Sequence, residues 1–109
     1  MKKGEIWLVE LPSTVGHEQS GSRPALVFAE TGTNVVIILP FTSNLQALRF
    51  PYTVGIKPNK ENGLSTLSIL LVFQIRAIDR ARLKRKIGIL EESTQSEVDT
   101  IFRKLFGIS

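Results

Sequence analysis

The sequence of 109 residues contains no cysteine and only one histidine, His17. Without cysteine the chain has neither disulfides nor thiolate metal ligands, and one histidine cannot form a histidine-rich metal site. Aspartate is nearly as scarce, because only Asp79 and Asp99 occur, and the eight glutamates are scattered. These absences exclude a paired-histidine ribonuclease and the carboxylate cluster that a two-metal nuclease needs.

Longer signals are missing as well. The N-terminus has two lysines but an unbroken apolar run only from Ile6 to Val9, which is too short for a signal peptide or a membrane span. The chain lacks the phosphate-binding GxxxxGK, the dinucleotide-binding GxGxxG, the GxSxG elbow and HExxH. We expect one cytoplasmic domain over residues 1–109, with no cofactor, no metal and no membrane segment, since this length buries enough surface to fold alone.

The positive charge is concentrated in one place. The formal net charge is +4, and five of the seven residues from Arg80 to Lys86 are basic. Such a patch can neutralise several phosphates of a nucleic acid. An ordinary solvated loop or helix face has the same composition, so charge alone does not decide between the two interpretations.

Most of the chain is typical of strands separated by turns. Strands are predicted at 4–11, 24–30, 35–40, 52–56, 68–73 and 86–90. The second and third lack polar alternation, which indicates burial on both faces, and Thr31 to Asn34 between them is typical of a hairpin turn. A short helix is predicted at Arg80 to Leu83. The polar loops Pro12 to Ser22 and Phe41 to Phe50 lie beside core strands, where binding and catalytic residues concentrate.

The C-terminal segment predicts an amphipathic helix. Its apolar residues recur at helical spacing: Val98, Ile101, Phe102, Leu105 and Phe106. Thr94 and Glu97 form a possible capping box, and Gly107 suits the helix end. Strands followed by one helix predict a small α+β, barrel-like domain.

Arginine, threonine and glutamine are the side chains left for phosphodiester chemistry, with at most one histidine or glutamate. RNA suits such a set, because its 2′-hydroxyl is a nucleophile already tethered beside the phosphate. An arginine and a hydroxyl can then stabilise the charge that develops on the phosphoryl oxygens. Arginine is a poor base, so the group that removes the 2′-proton stays open.

Five short blocks resemble one protein family, in the family's order and with similar separations. They are Gly4-Glu5-Ile6-Trp7-Leu8-Val9, Gly16-His17-Glu18-Gln19, Arg23-Pro24-Ala25-Leu26-Val27, Pro40-Phe41-Thr42-Ser43 and Gln74-Ile75-Arg76-Ala77-Ile78-Asp79. The chain resembles the MazF/PemK (Kid) toxins from Gly4 to the terminal helix. Each block is weak evidence alone, whereas five in order are specific.

The resemblance implies a small twisted antiparallel, SH3-like barrel with a C-terminal helix, which the gyrase poison CcdB shares. It also implies a homodimer that binds single-stranded RNA across the subunit junction. The implied activity is that of the toxin of a type II toxin-antitoxin system. It is sequence-selective, metal-independent RNA cleavage that leaves a cyclic phosphate and a 5′-hydroxyl. A MazE-like antitoxin would cover the site with an acidic tail.

The resemblance also implies residue roles. Arg23 and Thr42 match the catalytic arginine and threonine. The substrate-binding positions are matched by His17, Glu18, Gln19, Ser43, Gln74 and Arg76. Each residue has a structural alternative: Arg23 as a surface cation, Thr42 as a partner of its own loop.

Two positions depart from the family pattern. Many members have an acidic residue immediately before the glutamine that corresponds to Gln74, and this chain has Phe73 there. Some members also have an arginine two residues before that acid, and this chain has Leu71 at that position. An acid–base pair proposed for those positions is therefore missing. Two other hypotheses stay open: a non-enzymatic gyrase inhibitor like CcdB, and a nucleic-acid-binding module that uses the basic segment Arg80 to Lys86 alone.

Overall fold

A computed structural model describes residues 1–11 and 21–108 of the chain. Within these residues the chain forms seven strands and one α-helix: β1 (Glu5–Leu11), β2 (Gly21–Glu30), β3 (Val35–Thr42), β4 (Thr53–Ile56), β5 (Ser68–Leu71), β6 (Arg76–Asp79), β7 (Leu83–Ile89) and α1 (Glu92–Phe106). Three short 3₁₀ helices lie at Leu45–Arg49, Val72–Gln74 and Arg80–Arg82. None of the helices in the described part is long and apolar enough to cross a membrane.

All strand pairs are antiparallel, and the sheet has the order β4-β5-β3-β2-β1-β7. β3 belongs to two parts of the sheet, because Val35–Ile38 pair with β6 whereas Phe41 and Thr42 pair with β5. The change of partner along β3 wraps the sheet around its core. The predicted α+β, barrel-like fold with a C-terminal helix is confirmed.

The core lies on both faces of β2 and β3, as their continuous apolar sequences predict. One cluster of buried side chains is covered by α1: Ile6, Leu26, Leu39, Phe41, Val54, Ile56, Leu64, Leu70, Val72, Leu90 and Val98. The second cluster packs on the other face: Val9, Ala25, Val27, Val36, Ile38 and Ile78. Burial on both sides makes the long central strands a rigid support for the loops at their ends.

The predicted C-terminal helix is present, but its start differs from the prediction. The predicted capping box is wrong, because α1 begins at Glu92 after Glu91, whose side chain makes no capping hydrogen bond. The helix entry is fixed instead at Leu90, whose carbonyl accepts a hydrogen bond of 2.7 Å from the Gln95 side chain. Gly107 ends the helix in the left-handed conformation, with φ of 68°, as predicted.

Strand boundaries also differ from the sequence prediction. β2 begins at Gly21 rather than at Pro24, because Gly21 pairs with Leu11 and extends the ladder with β1. β3 continues to Thr42 because β5 pairs with its end. β6 was not predicted; four residues are too few to show a period, and it forms only by pairing with β3.

Candidate active site

An open groove of about 490 Å³ lies where β2 begins and β3 ends. One side is formed by the ends of these strands and the turn after β3, and the other by the segment before β5. The residues that line it are Arg23, Pro24, Phe41, Thr42, Ser43, Asn44, Leu64, Ser65, Thr66 and Ser68. Three predicted site residues, Arg23, Thr42 and Ser43, therefore share one groove.

The pairing of β2 with β3 explains why Arg23 and Thr42 lie in the same groove. Ala25 pairs with Pro40 and Leu26 with Leu39 across β2 and β3. Arg23 and Thr42 each lie two residues beyond the Ala25–Pro40 pair, at the same end of this ladder. The β2–β3 ladder therefore brings both residues to one end of the sheet, where they line the same groove.

The Thr42 hydroxyl is oriented by the turn that follows it. The backbone N–H of Asn44 donates a hydrogen bond to Thr42 Oγ1 at 3.2 Å, and Asn44 Oδ1 accepts one from the backbone N–H of Gln46 at 3.0 Å. Because Oγ1 acts as an acceptor toward its own loop, its proton stays available for donation into the groove. The structural alternative for Thr42 is therefore observed, and it is compatible with a catalytic role.

The groove is polar, and Arg23 is the one charged residue among the described residues that line it. Its other polar groups are hydroxyls and the Asn44 amide, and Phe41 and Leu64 add apolar surface. Within residues 1–11 and 21–108, Arg23 makes no salt bridge. An exposed guanidinium beside a hydroxyl donor is suited to binding a phosphate group.

The second side of the groove was not expected from the sequence. Ser65 and Thr66 lie there between the buried residues Leu64 and Ser68. The Pro58–Gly63 stretch was interpreted only as a turn, because nothing local indicates that it places the next residues against the end of β3. A contact between segments so distant in sequence depends on the β3–β5 pairing.

The remaining predicted substrate-binding residues lie elsewhere or outside the described residues. Gln74 is exposed in the 3₁₀ turn Val72–Gln74, and Arg76 starts β6 opposite Ile38; neither lines the groove. His17, Glu18 and Gln19 lie outside the described residues. Their assignments stay predictions.

The two positions that depart from the family pattern hold apolar side chains with structural roles. Phe73 is 38% exposed and packs against Phe50, with ring centroids 6.1 Å apart. Leu71 is buried at 8% exposure and lies at the end of β5. Neither residue lines the groove.

Three of the five basic residues from Arg80 to Lys86 pair with glutamates on β1 and β2. Arg80 donates hydrogen bonds to both carboxylate oxygens of Glu30, including Nη1 to Oε2 at 2.7 Å. Lys84 pairs with Glu10 at 2.9 Å and Lys86 with Glu5 at 3.2 Å. The hydrogen bond from the Arg80 guanidinium lowers the pKa of Glu30 to about 2. These pairs weaken the hypothesis of a binding module built on this segment alone.

Over residues 1–11 and 21–108, no three histidine, aspartate or glutamate side chains come together as a group able to hold a metal ion.

The chain is similar over nearly its whole length to one family of proteins. The family model of PemK-like, MazF-like toxins of type II toxin-antitoxin systems matches residues 2–106. Endoribonuclease MazF of Staphylococcus epidermidis is 32% identical, and the match covers 100% of this chain and 93% of that protein.

Solved structures agree with the sequence comparison. The crystal structure of MazF from Deinococcus radiodurans has a TM-score of 0.77 at 26% identity, covering 99% of this chain and 97% of that one. The MazE–MazF structure from the same organism has a TM-score of 0.76 at 25% identity, covering 100% and 97%. The chain belongs to the family of PemK-like, MazF-like toxins of type II toxin-antitoxin systems, and the predicted resemblance is confirmed.

Proposed function

We propose that this protein is a toxin endoribonuclease that cleaves single-stranded RNA selectively and without a metal ion. The observation that supports the proposal most directly is that Arg23 and Thr42 line one open groove. Staphylococcus epidermidis MazF, identical at 32% of positions over the full length of this chain, is named an endoribonuclease. Membership of the family and the groove therefore support the same activity.

The chemistry follows from the residues of the groove. The 2′-hydroxyl gives up its proton and its oxygen attacks the adjacent phosphorus. The bond from phosphorus to the 5′-oxygen breaks, the leaving oxygen takes up a proton, and a 2′,3′-cyclic phosphate and a 5′-hydroxyl result. Arg23 stabilises the negative charge on the non-bridging oxygens through its planar donor pair, and the Thr42 hydroxyl donates a further hydrogen bond. Holding the 2′-hydroxyl in line with the leaving oxygen supplies much of the remaining acceleration.

The shape and lining of the groove favour single-stranded RNA. Sequence-specific proteins read RNA mostly through unstacked bases, which need both hydrogen-bonding groups and apolar surface. Hydroxyls and the Asn44 amide provide the first, and Phe41 and Leu64 provide the second. The site is accordingly suited to a few nucleotides on either side of the scissile phosphate.

A homodimer is part of the proposal, and an exposed apolar surface beside the groove supports it. The surface comprises Leu45, Leu48, Phe50, Tyr52 and Phe73, which are 37% to 51% exposed. It begins immediately after Asn44, which lines the groove. Contiguous apolar patches on soluble proteins mark interaction sites, so a second copy bound here would set the groove close to the subunit junction.

Oligomeric state tests the homodimer directly. We expect wild-type protein to sediment as a dimer and the Leu48→Asp/Phe50→Asp variant as a monomer. Ile89→Asp introduces one charge at another exposed apolar residue, outside this surface, and is expected to stay dimeric. A wild-type monomer at micromolar concentration would contradict the homodimer.

An antitoxin partner and a cytoplasmic location complete the proposal. Several related structures are MazE–MazF complexes or an endoribonuclease with its cognate antitoxin. The positive charge of Arg23 in the groove favours an acidic antitoxin tail, because the carboxylates of such a tail, like the phosphates of RNA, are anions that a guanidinium binds.

The activity can be tested with purified protein and a long single-stranded RNA of known sequence, in EDTA. We expect cleavage at a short recurring motif, with a cyclic phosphate on one fragment and a 5′-hydroxyl on the other. Loss of cleavage in chelator would contradict metal independence. Intact RNA together with inhibition of gyrase supercoiling would support the gyrase-inhibitor hypothesis instead.

A further inference from the structure

The segment that forms the second side of the groove is held rigidly by a buried asparagine. Asn62 is 1% exposed, and its Oδ1 accepts hydrogen bonds from the backbone N–H groups of Asn59 and Leu64, each at 3.0 Å. Its Nδ2 donates to the Lys57 carbonyl at 2.9 Å, and its own N–H donates to Asn59 Oδ1 at 2.7 Å. One side chain thus fixes the path of the backbone from residue 57 to residue 64.

Close backbone contact then holds this loop against β7. Gly63 has a φ of 67°, and a Cβ there would lie 1.9 Å from the carbonyl oxygen of Ile87. A Cβ on Gly88 would lie 2.4 Å from the carbonyl oxygen of Asn62. The N–H of Ile89 also donates to the Glu61 carbonyl at 2.7 Å. Only glycine permits this approach, so the loop is fixed to a strand as well as to itself.

Beyond the loop, two exposed residues lie between two buried ones. Leu64 belongs to the core at 6% exposure, and Ser68 is 5% exposed, with its hydroxyl donating to the Thr66 carbonyl at 3.0 Å. Ser65 and Thr66, between them, are exposed and line the groove. Their hydroxyls make no hydrogen bond with any other group in the described part of the chain. A preorganised surface thus faces the groove that holds Arg23, and its two hydroxyls have no partner among residues 1–11 and 21–108.

We propose that Ser65 and Thr66 determine which RNA sequence is cleaved, and that Asn62 is the positioning residue that holds them in place. The inference rests on the proposed ribonuclease function and adds a specificity role to it. The hydroxyls are expected to contact the base or ribose of a nucleotide next to the scissile phosphate. Because the side with Arg23 and Thr42 acts on the phosphate, which all sequences share, discrimination falls to the opposite side.

The test compares wild-type protein with the Ser65→Ala/Thr66→Ala variant. Cleavage motifs are first read by sequencing the fragments of a long RNA, and kcat/KM is then measured on short RNAs that differ in one nucleotide beside the scissile bond. We expect the variant to keep cleaving but to lose about tenfold in discrimination, the scale of one or two neutral hydrogen bonds. The matched control is Ser96→Ala/Thr100→Ala, two exposed hydroxyl residues on α1, which is expected to keep the wild-type motif.

Asn62 is tested in the same assay. Asn62→Ala should raise KM and reduce discrimination with little change in kcat. Asn62→Asp retains the oxygen that accepts from Asn59 and Leu64, and should restore part of the discrimination. A purely structural role would lower the active fraction and leave the preference between two RNAs unchanged. If Asn62→Ala does not fold, the Ser65 and Thr66 variant still decides.

The possible failures can be told apart. Wild-type protein that cleaves no RNA overturns the proposed function and this inference with it. Wild-type protein that cleaves, together with a Ser65→Ala/Thr66→Ala variant of unchanged motif, overturns the inference alone. A Ser65→Ala/Thr66→Ala variant whose kcat/KM falls equally on all RNAs also overturns the inference alone, because the two hydroxyls then do not distinguish one nucleotide from another.

Discussion

Two arginines in this molecule have opposite surroundings. Arg80 lies in the most basic stretch of the sequence, yet Glu30 binds its guanidinium through both carboxylate oxygens. Arg23 lies where the sequence is not basic, and the structure places it in a groove where the lining residues of ranges 1–11 and 21–108 include hydroxyls but no acid. The density of positive charge along a chain is therefore a poor guide to the cation that meets a substrate. What matters is whether the fold brings a carboxylate beside it.

The largest expected effect is on RNA cleavage, and it distinguishes the arginine of the groove from the arginine that Glu30 binds. Arg23→Ala should lower kcat/KM for RNA cleavage at least about a hundredfold, because it removes the main electrostatic stabiliser. Arg80→Ala removes the arginine whose guanidinium Glu30 binds, and should change cleavage little. Initial rates on one short RNA measure both. Equal losses would show that the basic segment, and not the groove, binds the phosphate.

Thr42 sharpens the comparison within the groove. Thr42→Val keeps the shape of the side chain and removes the hydroxyl, and should also lower kcat at least about a hundredfold if the donated hydrogen bond forms in the transition state. Thr42→Ser retains the hydroxyl and should lose only a fewfold. Circular dichroism checks that both variants fold. A fully active Thr42→Val variant would show that the Thr42 hydroxyl has only a structural role, as the acceptor of the hydrogen bond from Asn44.

Gly88 probes how tightly the groove's second side is held to β7. Gly88→Ala places a Cβ against the backbone of Asn62 and should lower the free energy of unfolding by about 1–3 kcal/mol, the usual cost of overpacking. Gly55→Ala is the control, since its Cβ would meet Leu48 at an ordinary 3.5 Å. Urea unfolding measures both. If the two variants are equally stable, the loop can move off β7 at little cost.

The smallest effect concerns the Arg80–Glu30 pair. The folded-state pKa of Glu30, about 2, lies below its ordinary value of 4.5. A lowered pKa means that ionised Glu30 stabilises the fold above the ordinary pKa, and that this contribution is lost as the pH falls from 4.5 towards 2. The difference in unfolding free energy between wild-type and Glu30→Gln should therefore be constant at neutral pH and shrink on acidification. A difference that does not change between pH 6 and pH 2.5 would contradict the pairing.

Much of the fold was predictable because it depends on local patterns. The strands around Val27 and Ile38 have uniformly apolar sequences, and the α1 stripe and Gly107 follow helical rules. The strand β6 and the extension of β3 to Thr42 were missed, because both depend on pairing with distant segments. Local sequence contains no information about such partners.

The site was predictable only where family resemblance supplied it. Nothing in the local sequence distinguishes Arg23 from a surface arginine, and the place of Thr42 in the same groove depends on the pairing of β2 with β3. Ser65 and Thr66 were missed, because small hydroxyl residues after a turn are common in loops. Their place in the groove depends on Asn62 and on two glycines, whose long-range contacts become visible only in the folded chain.

The outer strand β7 has a consequence for how copies of this protein meet. It ends the sheet at one side, and its pairing with β1 is interrupted by two register shifts. Lys84 and Lys86 project from it and are tied to acids on β1. Irregular, lysine-bearing edges resist the addition of a foreign strand, which is the usual first step of sheet-to-sheet aggregation. Contacts between copies of this chain are therefore expected to form through side chains instead of open backbone.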